Sequence, residues 1–600
     1  MTSFLLRDDA RPRLHPLTLL CLTTFAACSL LVIWAFAHIP FVAIPQGNID
    51  DGLFVRLAGS VLRGAWLGPY DNLTLAKGPF YPIFLAGLAR VDLPFLTGQA
   101  LAYVASAWVL AWGVARATGS TSIAALAGCV VVLDPIMFAA GLLRPTREGV
   151  FVPLTMLLGG LLLLWLFAEP RRGTARVALA IVFGLLLAAF WTTREEGAWF
   201  VPTLALAWGY RILAGMRRGG RRGGIREGWP VALALVVAAG GVGTVALLIR
   251  AFYGSADVVE ITQPAFLAGY GALARVSEDR APPFVAVSRA ALARAAAISP
   301  LVARLQPTFA SAEGRIMADV GCQAHRIVPC DGEIRTGWFM WVLRDAVAAA
   351  GGYRNARTAR AFYLRMAEEI GAACSDGRLR CSRLRATMVP PFAWRAIPAT
   401  LAAAAEITRF VAMLDGMSLP GRPVTCAAAH PLAICAQYAA FFHLLGTKLF
   451  VLPTYFLHPA EGAAYLRWQA ETATLPSAAT AERVLRSVAR LQALFRRVLP
   501  WWLGAAAVAF AGAAGLAIRR ARLDGTTAAA AFCLFVAASR VVFLAYVQAV
   551  AFPTINVHYL SPAYPFLLLF CMLAPLALTG ALAARHGPRA APPLTPTLSA

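Results

Sequence analysis

Residues 560–583 read LSPAYPFLLLFCMLAPLALTGALA, and no position in this stretch carries a charged side chain. A helix of about 20 apolar residues matches the hydrocarbon thickness of a bilayer, so such a run predicts a membrane-crossing helix. Across all 600 residues, 59% are hydrophobic and 14% are charged, whereas about 25% are charged in an average soluble protein. The sequence therefore predicts an all-α integral membrane protein with many crossings.

Ten apolar runs predict about ten transmembrane helices. They lie at residues 16–37, 94–115, 122–140, 149–168, 177–192, 198–213, 229–250, 500–518, 526–549 and 560–583. The first run has no small-residue cleavage site and predicts an anchor, not a removable signal peptide. The apolar run at 436–457 is an alternative further crossing, although His443 and Lys448 disfavour full exposure to lipid.

Arginine clusters in the short connections predict the orientation. They are Arg7, Arg11, Arg13, Arg171, Arg172, Arg176, Arg217, Arg218, Arg221, Arg222, Arg226, Arg519, Arg520 and Arg522. All of them fall on the cytoplasmic side if both termini are cytoplasmic, as the positive-inside rule requires. The pattern predicts a multi-pass protein of the cell inner (plasma) membrane. It also accounts for the net charge of +24 without nucleic acid, since no basic face with interleaved aromatics lies outside the spans.

The order of spans and loops predicts four parts. An N-terminal membrane domain at 1–250 contains spans one to seven and a long first outer loop at 39–93. An extracytoplasmic domain at 251–499 is inserted between spans seven and eight, and C-terminal membrane helices follow at 500–584. The tail at 585–600 is rich in Pro and Ala and is predicted to be disordered.

The inserted domain is predicted to be mostly helical and disulfide-bonded. Apolar residues recur at helical spacing at 284–305, 336–349, 355–372 and 479–499. Its six cysteines form three close sequential pairs, Cys322 and Cys330, Cys374 and Cys381, and Cys426 and Cys435. Six cysteines allow 15 pairings, and short loops favour bonding between neighbours. A zinc site is the alternative, but no CxxC spacing supports it.

The first outer loop holds the candidate chemistry. Apolar residues at Leu53, Phe54, Leu57, Ala58, Val61 and Leu62 predict an amphipathic helix that lies in the membrane interface. Asp50 or Asp51 stands at its N-cap, and Lys77 follows shortly before the chain re-enters the membrane. The alternative interpretation is structural: an N-capping carboxylate and a lysine that reaches toward water.

Carboxylates and a lysine at the membrane surface suit transfer of a sugar from a lipid phosphate. A carboxylate can take the proton of an acceptor hydroxyl, and fixed cations can stabilise the departing phosphate. Lysine occurs only at Lys77 and Lys448, so arginine is the usual cation of this chain. This rarity favours a functional role for Lys77.

These residues resemble the first loop of the C-type glycosyltransferase superfamily, in the branch of protein O-mannosyltransferases and lipid A aminoarabinose transferases. Asp50 matches the catalytic base of the family and Asp51 its acidic neighbour. The middle element is matched by 64–67, and Lys77-Gly78-Pro79 matches a Lys-Pro-Pro element. The chain departs from the family in its Asp-Asp pair, in Gly78, and in the place of its soluble domain. The Asp-Asp pair leaves open which carboxylate is the base.

The resemblance also implies roles for ionisable residues in the other outer loops. Candidate ligands of the donor phosphate are Lys77, Arg147, Arg194 and His558, and candidate metal or donor ligands are Glu148, Glu195 and Glu196. No cofactor is certain from the sequence, and a divalent metal is a candidate. The alternative for these residues is a set of interfacial salt bridges that orient the helices.

The sequence thus predicts an inverting membrane glycosyltransferase. It would move a sugar from a polyprenyl-phosphate donor, within the membrane lipid, to an extracytoplasmic glycan, lipid or protein. Two alternatives are a non-catalytic protein of cell-envelope glycan assembly and a lipid or glycan transporter. The transporter is disfavoured because the spans are almost free of charge and show no internal repeat.

Overall fold

The computed structural model describes residues 15–167, 173–277, 282–383, 387–427, 433–453, 461–520 and 522–583. The predicted tail at 585–600 lies outside the described residues, as do Arg7, Arg11, Arg13, Arg171 and Arg172. Helices dominate the described part of the chain. Its strands form one small sheet, in which Leu449–Val451 pairs in parallel with Phe41–Val42 and antiparallel with Val424–Thr425.

Nine helices within these ranges are long and apolar enough to cross a membrane. They are Pro16–His38, Phe95–Thr118, Thr121–Phe138, Glu148–Phe167, Gly173–Thr193, Gly197–Tyr253, Pro476–Arg519, Gly525–Val550 and Val557–Ala583. The chain is therefore a polytopic, all-α membrane protein, as predicted.

The helix at Gly197–Tyr253 contains two of the predicted spans. Arg211 Nη2 lies 2.6 Å from Glu227 Oε2, whereas 16 residues of continuous helix would separate them by about 24 Å. The chain turns back at Gly219 and Gly220, where φ of Gly220 is +55°. Glycine adopts this left-handed conformation without the Cβ clash of other residues. With this turn, the nine helices account for ten crossings.

The remaining α-helices belong to the loops and the inserted segment. They are Asp51–Leu62, Phe80–Arg90, Pro264–Ala274, Arg289–Ile298, Pro300–Ala303, Gln306–Phe309, Ala312–Ala324, Thr336–Ala349, Ala356–Ser375, Ile397–Ala412, Ile434–Gln437, Ala439–Leu445 and Gly462–Ala473. Single 3-10 turns lie at Pro135–Phe138, Gly197–Phe200, Glu260–Thr262, Gly352–Arg354, Trp394–Ala396 and Ser561–Ala563. We call Asp51–Leu62 the entry helix and Thr336–Ala349 the roof helix.

The run at 436–457 does not form a further span in its described part. Gly446, with φ of +63°, ends the helix Ala439–Leu445, and the chain then joins the small sheet. A spanning helix cannot contain this break, because it would leave backbone polar groups unpaired in lipid. Residues 454–460 lie outside the described ranges.

The segment 251–499 contributes to two hydrophobic cores. The described residues between 255 and 383, which we call the cap unit, enclose a core of their own around Phe266, Leu343 and Met366. The later part packs instead into the main core of the membrane helices, through residues such as Ile407, Phe450 and Trp468. The inserted segment is thus half a separate unit and half an extension of the bundle.

Three disulfides join the six cysteines of this segment. Sulfur–sulfur distances are 2.15 Å for Cys322–Cys330, 2.00 Å for Cys374–Cys381 and 2.07 Å for Cys426–Cys435. Neighbour bonds to neighbour, which agrees with the pairing favoured by the short loops.

The two ends of the helix bundle differ in their charges. At the far end, where Gly173–Thr193 begins, Arg211 and Arg176 approach Glu227, and Arg520 Nη1 donates to the Ala581 carbonyl at 2.8 Å. The opposite end, where that helix ends, is called the site end below. The described topogenic arginines therefore share one end, and the candidate site residues share the other.

Close helix packing in the bundle depends on two facing glycines. A Cβ on Gly113 would lie 2.7 Å from the Gly160 carbonyl oxygen, and a Cβ on Gly160 would lie 2.8 Å from Leu110 Cα. Small residues of this kind allow membrane helices to approach at backbone distance.

We predict that Gly160→Val destabilises the protein by about 1–3 kcal/mol, because the added methyl groups force the two backbones apart. Thermal unfolding in detergent micelles would measure the loss. The matched control is Gly240→Val, in a membrane helix where no atom lies within 4 Å of the added Cβ. Equal stability of the two variants would contradict the packing described here.

Candidate functional site

The first loop places Lys77 against Asp50 at the site end. Lys77 Nζ forms an ion pair with Asp50 Oδ1, and the exposed fractions of the two side chains are 7% and 42%. The same ammonium lies 5.1 Å from the ring centre of Phe54 and 5.4 Å from that of Trp341. Asp50 is thus the more accessible partner of a largely enclosed pair.

The pair shifts both pKa values. The enclosed position would raise the pKa of Asp50, but the charge and hydrogen bond of Lys77 outweigh it and leave that pKa below its usual value. Burial lowers the pKa of Lys77, and Asp50 opposes this shift. Asp50 is therefore an ionised carboxylate at neutral pH.

Gly78 is required by the way Lys77 is seated. A Cβ at Gly78 would lie 2.0 Å from the carbonyl oxygen of Thr192, at the end of the helix Gly173–Thr193. No side chain fits at that distance, so the backbone after Lys77 is packed directly on the helix end. This contact accounts for a glycine at position 78.

Asp51 occupies a different environment from Asp50. Its side chain is fully buried, and Arg144 holds it with two hydrogen bonds, one from Nε at 3.1 Å to Oδ1 and one from Nη2 to Oδ2. Burial raises the pKa of Asp51 to about 6, and the charge of Arg144 opposes the rise. Asp51 anchors the start of the entry helix to the loop before the fourth span.

A chain of alternating charges continues from that loop across the site end. Arg147 Nη1 donates to both carboxylate oxygens of Glu195 at 2.7 Å and to the Thr193 carbonyl at 3.3 Å. Glu148 pairs with Arg194, whose Nε lies 3.1 Å from Glu196 Oε1. These pairs join the loops at 141–148 and 193–197, which are far apart in sequence.

Arg540 completes this chain of charges and was not predicted. Its Nη2 donates to Glu196 at 2.5 Å and its Nε to the Tyr559 carbonyl at 2.8 Å. Burial would raise the pKa of Glu196, but Arg194 and Arg540 outweigh it and lower that pKa. A lone arginine inside the apolar run at 526–549 was the available sequence signal, because charges within spans mark functional sites.

His558 lies beside the same loop but makes no side-chain ion pair in the described structure. A Cβ on Gly141 would lie 2.8 Å from His558 Cε1, so the imidazole packs on the backbone before Arg144. Its Nε2 is buried without a hydrogen-bond partner among the described residues. An imidazole nitrogen of this kind is available to a bound polar group.

The predicted metal ligands do not converge in this arrangement. Each of the three carboxylates is turned toward an arginine. The pairs are Glu195 with Arg147, Glu148 with Arg194, and Glu196 with Arg540. Among the described residues, the one group of three ligand atoms close enough for an ion is Cys322, Cys330 and Asp331, and both cysteines are in a disulfide. In this structure these three carboxylates pair with arginines, and a divalent metal at the site end stays a prediction.

A groove runs along the entry helix next to these residues. Its volume is about 540 Å³. The glycines Gly52 and Gly59 line one wall, while Arg56, Arg63 and His443 add polar groups to the lining. Its lining includes Gly52, the residue after Asp51.

Comparisons with known proteins add little to this geometry. No family model and no curated protein matches the chain. Two solved structures of ArnT from Cupriavidus metallidurans, one in the apo state and one bound to undecaprenyl phosphate, are similar to it at 14% identity. Each comparison covers 81% of this chain and 79% of that chain, with a TM-score of 0.30. Similarity of this degree establishes neither fold nor activity.

We predict that Asp51 makes the free energy of unfolding depend on pH. Between its usual pKa of 3.8 and the folded value of about 6, the folded protein keeps a proton that the unfolded chain has released. Stability from this group therefore falls as the pH rises from about 4 to 6 and is constant above that range.

In the Asp51→Asn variant the side chain at this position cannot titrate, so comparison with wild type gives the contribution of Asp51 alone. The stability difference, wild type minus variant, should fall by about 3 kcal/mol between pH 4 and pH 7. Thermal unfolding of both proteins in detergent at several pH values would measure it. A difference that stays constant with pH, or that rises, would show that Asp51 is already ionised at pH 4.

Proposed function

We propose that the protein is an inverting, integral-membrane glycosyltransferase that uses a polyprenyl-phosphate sugar. The observation that carries the proposal is the pair of Asp50 and Lys77, an accessible carboxylate held against an enclosed lysine. Glycosyl transfer requires a base and an anion-stabilising cation side by side, and this pair supplies both.

In the proposed reaction, an acceptor hydroxyl attacks the anomeric carbon of the donor sugar. The new carbon–oxygen bond forms as the bond to the phosphate oxygen breaks, and the electron pair of that bond leaves with the polyprenyl phosphate. Asp50 takes the hydroxyl proton, because its lowered pKa keeps it ionised. Attack opposite to the leaving group inverts the configuration of the anomeric carbon.

Of the two carboxylates, Asp50 is the proposed base. Its side chain is 42% exposed, whereas that of Asp51 is fully buried and held by Arg144. A base must reach the proton that it abstracts, and Asp51 cannot do so without breaking two hydrogen bonds. Asp51 instead fixes the entry helix, so that Asp50 has one position.

Lys77 is the proposed stabiliser of the departing phosphate, together with Arg147, Arg194 and His558. A fixed cation in a site of low dielectric stabilises developing negative charge strongly. The unpartnered Nε2 of His558 can accept or donate to a phosphate oxygen according to its tautomer. The groove along the entry helix is the proposed path of the acceptor.

The arginine distribution supports an orientation for the proposed enzyme. The described topogenic arginines lie at the far end, and by the positive-inside rule this supports a cytoplasmic far end for a protein of the inner membrane. The site end and the cap unit would then face outward, where polyprenyl-phosphate sugars are used. Disulfides in the cap unit suit an oxidising compartment.

We predict that Asp50→Asn lowers the rate of sugar release from polyprenyl-phosphate donors by about 10²–10⁴-fold, because it removes the base without changing the shape of the side chain. Purified protein would be assayed with a panel of such donors, with water as the default acceptor. Lys77→Met should also lower release, through loss of phosphate stabilisation.

The matched control is Asp376→Asn in the cap unit, where Asp376 pairs with Arg378 at 3.1 Å and both side chains are more than half exposed. This variant should release sugar as wild type does. The proposal fails if Asp50→Asn and Asp376→Asn have equal activity, or if wild type turns over no donor of the panel. The second outcome would favour a non-catalytic protein of glycan assembly.

A further inference from the structure

A buried polar cluster attaches the cap unit to the loop that carries Lys77. Arg344 of the roof helix is fully buried; its Nε donates to the Asn72 carbonyl at 2.7 Å, and its Nη2 lies 2.8 Å from Glu260 Oε2. The hydroxyl of Tyr70 donates to the other oxygen of Glu260. Two residues of the cap unit thus hold side chains and backbone of the first loop.

A second set of bonds holds the same stretch of loop. The backbone N–H of Glu260 donates to the Leu75 carbonyl at 2.9 Å, and Asn72 Nδ2 donates to Asp345 Oδ1 at 2.6 Å. The attachments therefore extend over residues 70–75, directly before Lys77. On the other side, Gly78 is packed on the Thr192 carbonyl. Lys77 is fixed from both directions.

The roof helix also covers Lys77 directly. Trp341 lies one helical turn before Arg344, and its ring centre is 5.4 Å from Lys77 Nζ. A lysine ammonium over an aromatic face is held by the ring quadrupole. One face of a single helix thus supplies both the ring above Lys77 and the guanidinium that holds the preceding loop.

Arg344 is not explained by the stability of the cap unit alone. A fully buried guanidinium is costly, and among the described residues neither Nη1 of Arg344 nor Nε and Nη1 of Arg335 has a hydrogen-bond partner. Arg335 offers a comparison in the same unit, since it is also fully buried but pairs at 2.9 Å with Asp331 of the unit itself. Arg344 instead directs one of its two hydrogen bonds out of the unit, to the loop of the candidate site.

We propose that Arg344, together with Glu260, is a positioning residue for Lys77, so that the cap unit is a working part of the site. The guanidinium and the carboxylate fix the loop at 70–75, and the loop fixes the ammonium against Asp50. The consequence for catalysis rests on the proposed function, whereas the placement of Lys77 can be tested without any substrate.

The scarcity of lysine provides that test, because Lys77 and the exposed Lys448 are the two lysines of the chain. A short pulse of a water-soluble acetylating reagent on the purified full-length protein, followed by mass spectrometry, gives the reactivity of Lys77 relative to Lys448. In wild type, Lys77 should react about tenfold or more slowly than Lys448, because a buried amine reacts only when the structure opens locally.

The variants compared are Arg344→Gln and its matched control Arg335→Gln. The reactivity of Lys77 relative to Lys448 should rise by about tenfold in Arg344→Gln, because the loop is released. In Arg335→Gln this ratio should stay near the wild-type value. Tyr70→Phe removes one hydrogen bond at lower risk to folding, and should raise the ratio by a smaller factor. The proposal is overturned if both arginine variants raise the ratio equally, or if Arg344→Gln and Tyr70→Phe leave it unchanged.

Turnover separates this inference from the proposed function. With a donor that wild type uses, Arg344→Gln should lower kcat by about 10²-fold with a smaller change in KM, because a misplaced cation loses stabilisation of the leaving phosphate. Arg335→Gln should retain wild-type kcat. A changed Lys77 ratio with no turnover of any donor by wild type would uphold the placement of Lys77 and reject the proposed function. An active wild type with unchanged kcat in Arg344→Gln would reject the positioning role.

Discussion

Buried charges at the site end must be paired, and this requirement organises the rest of the structure. A carboxylate or guanidinium removed from water costs several kcal/mol unless an opposite charge and hydrogen bonds compensate it. Asp51 with Arg144, Arg147 with Glu195, and Glu148 with Arg194 satisfy this requirement between loops that are distant in sequence. Each pair ties two outer loops together, so that pairing the charges also sets which segments are neighbours.

The same requirement separates two adjacent aspartates into different roles. Asp51 points into the protein, where Arg144 neutralises it, and Asp50 points toward Lys77 with part of its side chain exposed. Consecutive residues at a helix start face different directions, so one carboxylate becomes an anchor and the other remains accessible. A rigid anchor next to a reactive group reduces the number of positions that the reactive group can adopt.

Backbone contact is the second constraint on the site. Gly78 lies against the Thr192 carbonyl, and Gly141 lies against the ring of His558. These glycines allow loops to approach without intervening side chains, which brings ionisable groups within ion-pair distance. The cap unit then covers Lys77, since its roof helix places Trp341 over the ammonium. The site is built by the membrane helices and closed by the inserted segment.

Much of this protein was determined by local sequence. Hydropathy over about 20 residues identifies each span, because lipid solvation depends only on that segment. The periodicity after Asp51 identifies the entry helix, and short loops between cysteines identify the disulfide partners. The rarity of lysine pointed to Lys77. The sequence also predicted one candidate set that includes Asp50, Asp51, Glu148 and Arg194, because all of them are predicted to lie on one side of the membrane.

Only the tertiary structure decided which of these charges pair, which aspartate is accessible, and that Arg540, Glu260 and Arg344 belong with them. It also divided 251–499 between two cores. Arg344 and Asn72 are 272 residues apart, and Arg540 and Glu196 are 344 apart. Such contacts depend on the packing of whole segments against each other. Composition and periodicity describe one segment at a time, so they carry no information about the partner that a buried charge will meet.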